Sequence, residues 1–192
     1  MEEESNSCVV AADQGETQDN GIDLGRISLR PFDLSDVDDF TSWAGDEKVS
    51  RFCSWEANFS KEKGLKLLKS WIFYHPWSKS ICLDDKSIGE ISVSANSGAD
   101  RCRAEIGYAL GSDYWNKGIV THVVKMVANA IFWEWPHLER LEALVDVENV
   151  ASQRVLEKAD FEREGVLKKY YILKGRTRDM VIIVLFLIMS LK

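Results

Sequence analysis

The stretch Glu105-Ile106-Gly107-Tyr108-Ala109-Leu110, continuing as Gly111-Ser112-Asp113-Tyr114-Trp115-Asn116-Lys117-Gly118-Ile119-Val120-Thr121, decides the fold by its change of period. Ile106, Tyr108 and Leu110 alternate, as in a strand. Beyond the loop, Ile119, Val120, Val123, Val124, Val127, Ala130 and Ile131 recur at helical spacing until Pro136. A strand thus runs through a loop directly onto a helix N-terminus, where unpaired N–H groups and the helix dipole favour an anion. Gly118 lets the backbone approach a phosphate with no Cβ in the way, and Lys117 adds a point charge.

Elements of both kinds extend outward from this centre. Ile27, Leu29 and Phe32 predict a short first strand, and Ser35, followed by Asp36, Asp38 and Asp39, predicts a helix N-cap. A second helix starts after Ser60, carries Leu65, Leu68 and Ile72 on one face, and ends at His75-Pro76. Strands are expected around Ile81–Leu83, Ile88–Val93 and Ile106–Leu110, with Asp84-Asp85-Lys86 and 95–100 as turns. After the long helix come a strand at Leu141–Val145, a helix at Val150–Ala159 and two final strands. The last of these contains the apolar run Met180–Leu191, too short to span a bilayer. The order β-α-α-β-β-β-α-β-α-β-β predicts one α/β (α+β) layered domain.

The charge is unevenly placed. The 192 residues carry 31 acids, 24 bases and a formal net charge of −7. Residues 1–25 hold seven of the acids and no base, which leaves the remainder with 24 of each. An acidic, disordered leader over 1–25 and a neutral domain over 26–192 are expected. A neutral domain argues against a nucleic-acid partner. The leader has neither a basic start nor an apolar stretch, so no membrane or secretory route is expected, and the expected location is cytoplasmic, with the nucleus as the alternative. Cys8, Cys53, Cys82 and Cys102 show no CxxC spacing and the chain has three His, so no metal site is expected and reduced thiols are. Neither G-x-G-x-x-G nor G-x-x-x-x-G-K-[ST] occurs at the loop, so its ligand is neither a dinucleotide on a Rossmann motif nor ATP on a Walker motif.

A second motif, Asn149-Val150-Ala151-Ser152-Gln153-Arg154-Val155-Leu156-Glu157-Lys158-Ala159-Asp160-Phe161, follows a strand. Together with Tyr114–Thr121 it resembles the GNAT acetyltransferase superfamily, in the branch of the ribosomal-protein N-terminal acetyltransferases RimJ and RimL, over about residues 26–188. The resemblance implies the GNAT acyl-CoA N-acyltransferase fold: a mixed, mostly antiparallel sheet flanked by helices, with a V-shaped splay between its fourth and fifth strands. It implies acetyl-CoA as donor and a primary amine as acceptor: a protein N-terminus, polyamine, amino acid or other small amine. By the same resemblance, the backbone amides of Asn116, Lys117, Gly118, Ile119, Val120 and Thr121 bind the pyrophosphate. Ala109 and Leu110 border the pantetheine arm, Asn149 bonds that arm or fixes its loop, and Ser152 protonates the departing thiolate. Such an enzyme is expected as a monomer or homodimer.

The sequence departs from the family pattern at several positions. Trp115, Asn116 and Val120 replace the usual loop residues, His122 stands where the branch often has Glu, and Asp160-Phe161 replaces Gly-Phe. Leu156 occupies the position at which many members carry a tyrosine acid. These departures leave open a second reading, a GNAT-fold module that binds acyl-CoA or a partner without turnover. For the reaction itself, Glu105 is the base candidate, its plain alternative being a solvated strand carboxylate. A backbone N–H near Ala109–Leu110 would polarise the thioester carbonyl. Ser152 competes with an ordinary first-turn helix serine. His122, Tyr108 and Trp115 read as structural, Asp179 resembles a family acid, and Trp43, Trp55, Trp71 and Trp77 lie in the segment that builds the acceptor site.

Overall fold

Asp84 and Asp85 both adopt left-handed backbone, with φ of 48° and 65°, a conformation Asp tolerates better than most side chains. They turn β3 (Ser78–Leu83) straight into β4 (Lys86–Ala95), as the Asp-Asp-Lys signal predicts. The computed structural model describes residues 9–10, 22–75 and 77–187. Its other strands are β1 (Val9–Val10), β2 (Ile27–Arg30), β5 (Arg103–Leu110), β6 (Arg140–Asp146), β7 (Glu162–Leu173) and β8 (Arg176–Phe186). The helices are α1 (Val37–Ala44), α2 (Glu47–Ser50), α3 (Lys61–Tyr74), α4 (Ile119–Glu134) and α5 (Val150–Lys158). The sheet runs β2-β3-β4-β5-β6-β8-β7, with β1 beside β5. The β5–β6 and β1–β5 pairs are parallel and the others antiparallel. From β2 onward, apart from the single turn of α2, the element order is the expected one.

Three details differ from the sequence reading. The entrance to α1 is capped by Asp33, not Ser35: a capping box between Asp33 and Asp36 closes a 3-10 turn over Leu34–Asp36, and the helix follows. Two residues of the supposedly disordered leader, Val9 and Val10, form β1, and Ile22 and Leu24 pack against the core. Cys82 and Cys102 are free, whereas Cys53 is disulfide-bonded; Cys8 lies outside the described residues. Met180–Phe186 belongs to β8, as expected, while the end of that apolar run lies outside the described residues. Among the described residues no helix is long and apolar enough to cross a membrane.

The sheet separates two cores. On one face, Ile106, Tyr108 and Leu110 of β5 and Leu141, Ala143 and Val145 of β6 pack under Val123, Val124, Val127 and Ile131 of α4 and Val155 and Leu156 of α5. On the other, Ala109 joins an aromatic cluster built by Phe40, Trp43, Trp55, Phe59 and Trp71, carried by α1, α3 and the segment between them. Between these faces the sheet opens. β5 and β6 pair only at Arg103↔Arg140, Ala104↔Leu141 and Glu105↔Glu142, yet β6 goes on pairing with β8 as far as Asp146. Beyond Glu105 the two parallel strands therefore diverge, which is the expected splay between the fourth and fifth strands counted from β2. Into it β1 places Val9 opposite Tyr108 and Val10 opposite Ala109.

Candidate active site

β5 ends where the Gly111 N–H donates to the Ile88 carbonyl at 2.8 Å. A 3-10 turn over Ser112–Tyr114 follows, and the Trp115 indole N–H donates back to the Leu110 carbonyl at 2.8 Å, folding the loop against the strand end. Asn116 and Gly118 are both left-handed, with φ of 62° and 72°, and no atom lies within 4 Å of where a Gly118 Cβ would stand. The glycine thus answers both needs, a conformation L side chains resist and open space before the backbone. The first bond of α4 runs from the His122 N–H to the Gly118 carbonyl at 3.0 Å. The amides of Ile119, Val120 and Thr121 are consequently not used by the helix, and no side chain caps it. These residues, with Tyr114–Gly118, Leu110 and Val155, line one pocket. Val120 packs its side chain into the core at 4% exposure, so the departure from a small residue is absorbed beneath the loop. The Lys117 ammonium donates to the Asp113 carbonyl at 2.7 Å and lies 5.7 Å from the centre of the Tyr114 ring.

The splay begins where this pocket ends. Backbone groups alternate in direction along a strand, and Gly111 points its N–H at β4. The amides of Tyr108 and Leu110 therefore face the splay, while that of Ala109 faces β4. Across the opening, Asn149 caps α5, its side-chain oxygen accepting the Ser152 N–H at 3.3 Å. Ser152 is fully buried, and its carbonyl accepts the Tyr108 hydroxyl at 3.2 Å. Burial pushes the Tyr108 hydroxyl well above the ordinary tyrosine range, so it keeps its proton. The sequence presents Tyr108 as a packing residue first; its alternation with Ile106 and Leu110 gives no sign of this polar contact. Leu156 is wholly buried and offers no acid.

Glu105 is half-buried at the last paired position of β5, opposite Ser94 on one side and Glu142 on the other. Glu142 is itself held by Arg103 at 2.5 Å and Arg140 at 2.6 Å. Glu105 stands four residues, about 13 Å of strand, from Ala109, at the closed end of the splay. The structure thus gathers residues 115–121, Leu110, Tyr108, Asn149 and Ser152 around the opening, and sets Glu105 at its base. Of the four tryptophans, Trp43, Trp55 and Trp71 share the aromatic cluster; Trp77 instead packs against the α4-side core and donates to Glu134 at 3.2 Å. Asp179 accepts the Lys169 N–H at 2.8 Å, pinning a bulge in β7, and that bond together with Lys168 holds its carboxyl below the usual range. Among the described residues no group of three or more His, Cys, Asp or Glu side chains is placed to hold a metal.

Comparison with known proteins matches residues 26–162 to the family model described as an acetyltransferase (GNAT) domain. The N-acetyltransferase YoaA of Bacillus subtilis, itself uncharacterized, is 28% identical over 164 residues, covering 82% of this chain and 92% of that one. Among solved structures, the microcin C7 self-immunity acetyltransferase MccE, in complex with acetyl-CoA and AMP, superposes with a TM-score of 0.74 at 21% identity, covering 88% of this chain and 97% of that one. RimL, a ribosomal L7/L12 alpha-N-protein acetyltransferase, does so with a TM-score of 0.72 at 22% identity, covering 84% and 90%.

Proposed function

The chain belongs to the GNAT acetyltransferase family, and within that membership we propose that residues 116–121 hold the pyrophosphate of acetyl-CoA while the splay between β5 and β6 takes its pantetheine arm. The protein is an acetyl-CoA-dependent N-acetyltransferase, moving the acetyl group from the thioester to an amine. The observation that carries the assignment is that one pocket joins two features: the unused amides of Ile119, Val120 and Thr121, and Leu110 at the end of β5 where it has parted from β6. An extended ligand with an anionic end fits both at once.

In this reading the amides of Tyr108 and Leu110, which face the splay, polarise the thioester carbonyl. The neutral amine attacks the carbonyl carbon, the C–N bond forms, and the C–S bond breaks with its electrons on sulfur. The Ser152 hydroxyl, at the start of α5, supplies the proton that the thiolate takes up, and Asn149 fixes that helix start. Glu105, the base nominated by the sequence, stands at the closed end of the splay, about 13 Å along β5 from Ala109. The acceptor is an amine of the α-amino type, supported by the likeness to RimL, and a cytoplasmic location belongs to the same reading. Calorimetric titration with acetyl-CoA, followed by a CoA-release assay against a panel of amines, tests the proposal with Gly118→Ala and Ser152→Ala. The first variant is expected to weaken acetyl-CoA binding, the second to lower kcat with binding intact. Unaltered binding by Gly118→Ala would move the pyrophosphate elsewhere.

A further inference from the structure

Four carboxylates are buried among the described residues: Asp36, Glu90, Glu142 and Asp146. Three have an arginine in contact, Asp36 with Arg30 at 2.6 Å, Glu142 with Arg103 at 2.5 Å and Asp146 with Arg178 at 2.5 Å. Glu90, 4% exposed, has no ion-pair partner among the described residues; the Ser92 hydroxyl bonds to it, and Ser80 stands opposite it on β3. A buried carboxyl without a counter-charge is costly, and such groups concentrate where a ligand supplies the missing partner.

Its position relates it to the reaction. Glu90 lies directly opposite Ala109 in the β4–β5 register, and opposed residues share a face, so its side chain stands on the face covered by the aromatic cluster. Along that face β5 presents Gly107 and Ala109, with Gly111 directly after the strand, none with a side chain larger than a methyl group. Only backbone and a methyl group therefore stand on this face between Glu90 and the edge of the splay, one strand, ~4.8 Å, away. Glu105 shares the face but stands about 13 Å along it. Trp43 closes the near side: a Cβ added to Gly111 would lie 3.1 Å from that of Trp43.

The layer above carries a second unmet demand. The buried side-chain atoms left without a hydrogen-bond partner among the described residues are the Thr41 hydroxyl and the indole N–H groups of Trp43 and Trp71. All three belong to α1 and α3, the helices over this face. A polyamine has no acceptor atom to offer two indole donors; an α-amino group beside a carbonyl or carboxylate has.

We propose that Glu90 is the catalytic carboxylate that receives the acceptor's ammonium group, and that Trp43 and Trp71 bind the neighbouring carbonyl or carboxylate oxygen of an α-amino acceptor. One proton passes from nitrogen to the Glu90 carboxylate, the freed lone pair forms the C–N bond as the C–S bond breaks, and the second nitrogen proton restores the Ser152 hydroxyl that has protonated the thiolate. This rests on the splay as the acetyl-CoA site. Burial pushes the Glu90 carboxyl up to about 8, which suits proton exchange with an amine near neutral pH. The other ionisable groups on this face do not compete. Arg30 is committed to Asp36, the Cys82 thiol is itself raised by burial, Glu105 is remote along β5, and α1 and α3 bury Val37, Phe40, Trp43, Ala44, Leu68 and Trp71 here.

The test compares wild type, Glu90→Gln, Glu105→Gln and Trp43→Phe by calorimetry with acetyl-CoA, and then by CoA release with L-leucine, L-leucinamide and spermidine from pH 6 to 9. Glu90→Gln should bind acetyl-CoA like wild type and stay folded over this pH range, yet lose at least 100-fold in kcat/KM for the α-amines. It should also lose the acid limb near pH 8. Trp43→Phe, which keeps a ring and removes the N–H, should raise KM for leucine and leucinamide with little change in kcat. The proposal is overturned if Glu90→Gln keeps kcat/KM within threefold or keeps the acid limb, if spermidine is preferred, or if a wild type that binds acetyl-CoA acetylates none of the three amines. Failure of wild type to bind acetyl-CoA would instead remove the reading beneath it.

Discussion

Deleting residues 1–21 removes the strand that Val9 and Val10 add to the open edge of β5. In the proposed complex that edge belongs to the pantetheine arm, so the leader and acetyl-CoA exclude each other, and the apparent affinity is reduced by the fraction of molecules with β1 in place. Two paired residues supply about two ladder bonds of ~0.5–1.5 kcal/mol each. The entropy of ordering them, ~1–2 kcal/mol per residue, is of the same size. The balance therefore favours β1 by at most about 1 kcal/mol, which corresponds to about fivefold in Kd. Calorimetry with CoA should give a Kd about two- to fivefold lower for a chain starting at Ile22. A change in the same direction is expected in the full-length Val9→Pro, Val10→Pro double variant, which keeps all four cysteines and so separates the strand from the Cys53 disulfide, because proline cannot donate to the ladder. At saturating acetyl-CoA, kcat should be unchanged. Equal Kd values in all three proteins, or weaker binding by the shortened one, would refute the argument that β1 occupies the cofactor's edge.

Other consequences concern stability and pH. Gly118→Ala places a Cβ on left-handed backbone and should cost about 1–2 kcal/mol in urea unfolding. Arg178→Met leaves Asp146, 4% exposed, without its 2.5 Å partner, and should cost about 3–5 kcal/mol in the same measurement. Glu90 is protonated in the folded chain up to about pH 8, against an ordinary value of 4.5. Between those values the folded state holds a proton that the unfolded chain has lost, so this group makes stability fall as pH rises from about 5 to 8. Melting temperatures of Glu90→Gln should show a flatter decline over that window than wild type. Asp36 behaves oppositely: burial pushes its carboxyl up, but the Arg30 and Asp33 bonds hold it below the usual range. Its contribution is present at neutral pH and disappears as pH falls through the acid range, a loss that Arg30→Met should abolish.

What could be read from residue order alone divides along physical lines. The Asp84-Asp85 turn and the loop before α4 depend on local backbone preferences, and each was visible in a few residues. The start of α1 was displaced because Ser35 and Asp33 are both good caps, and the choice fell to the reciprocal bond from Asp36, which only three-dimensional geometry reveals. Glu90 escaped notice for a different reason. In Ile88-Gly89-Glu90-Ile91-Ser92-Val93 an acid between apolar residues looks like the wet side of a strand, yet β4 is covered on both faces. β1 was equally hidden: nothing in Val9-Val10 announces a strand until the divergence of β5 from β6 provides an edge to pair with.

The central claim is that the start of α4 and the splay together hold acetyl-CoA, and a crystal structure of the full chain with CoA tests it most directly. We expect the pyrophosphate within hydrogen-bond distance of amides in 116–121, the pantetheine arm along Tyr108–Leu110, and Val9–Val10 displaced from that edge. CoA bound at another surface, or β1 still paired with Tyr108 and Ala109 in the complex, would contradict it.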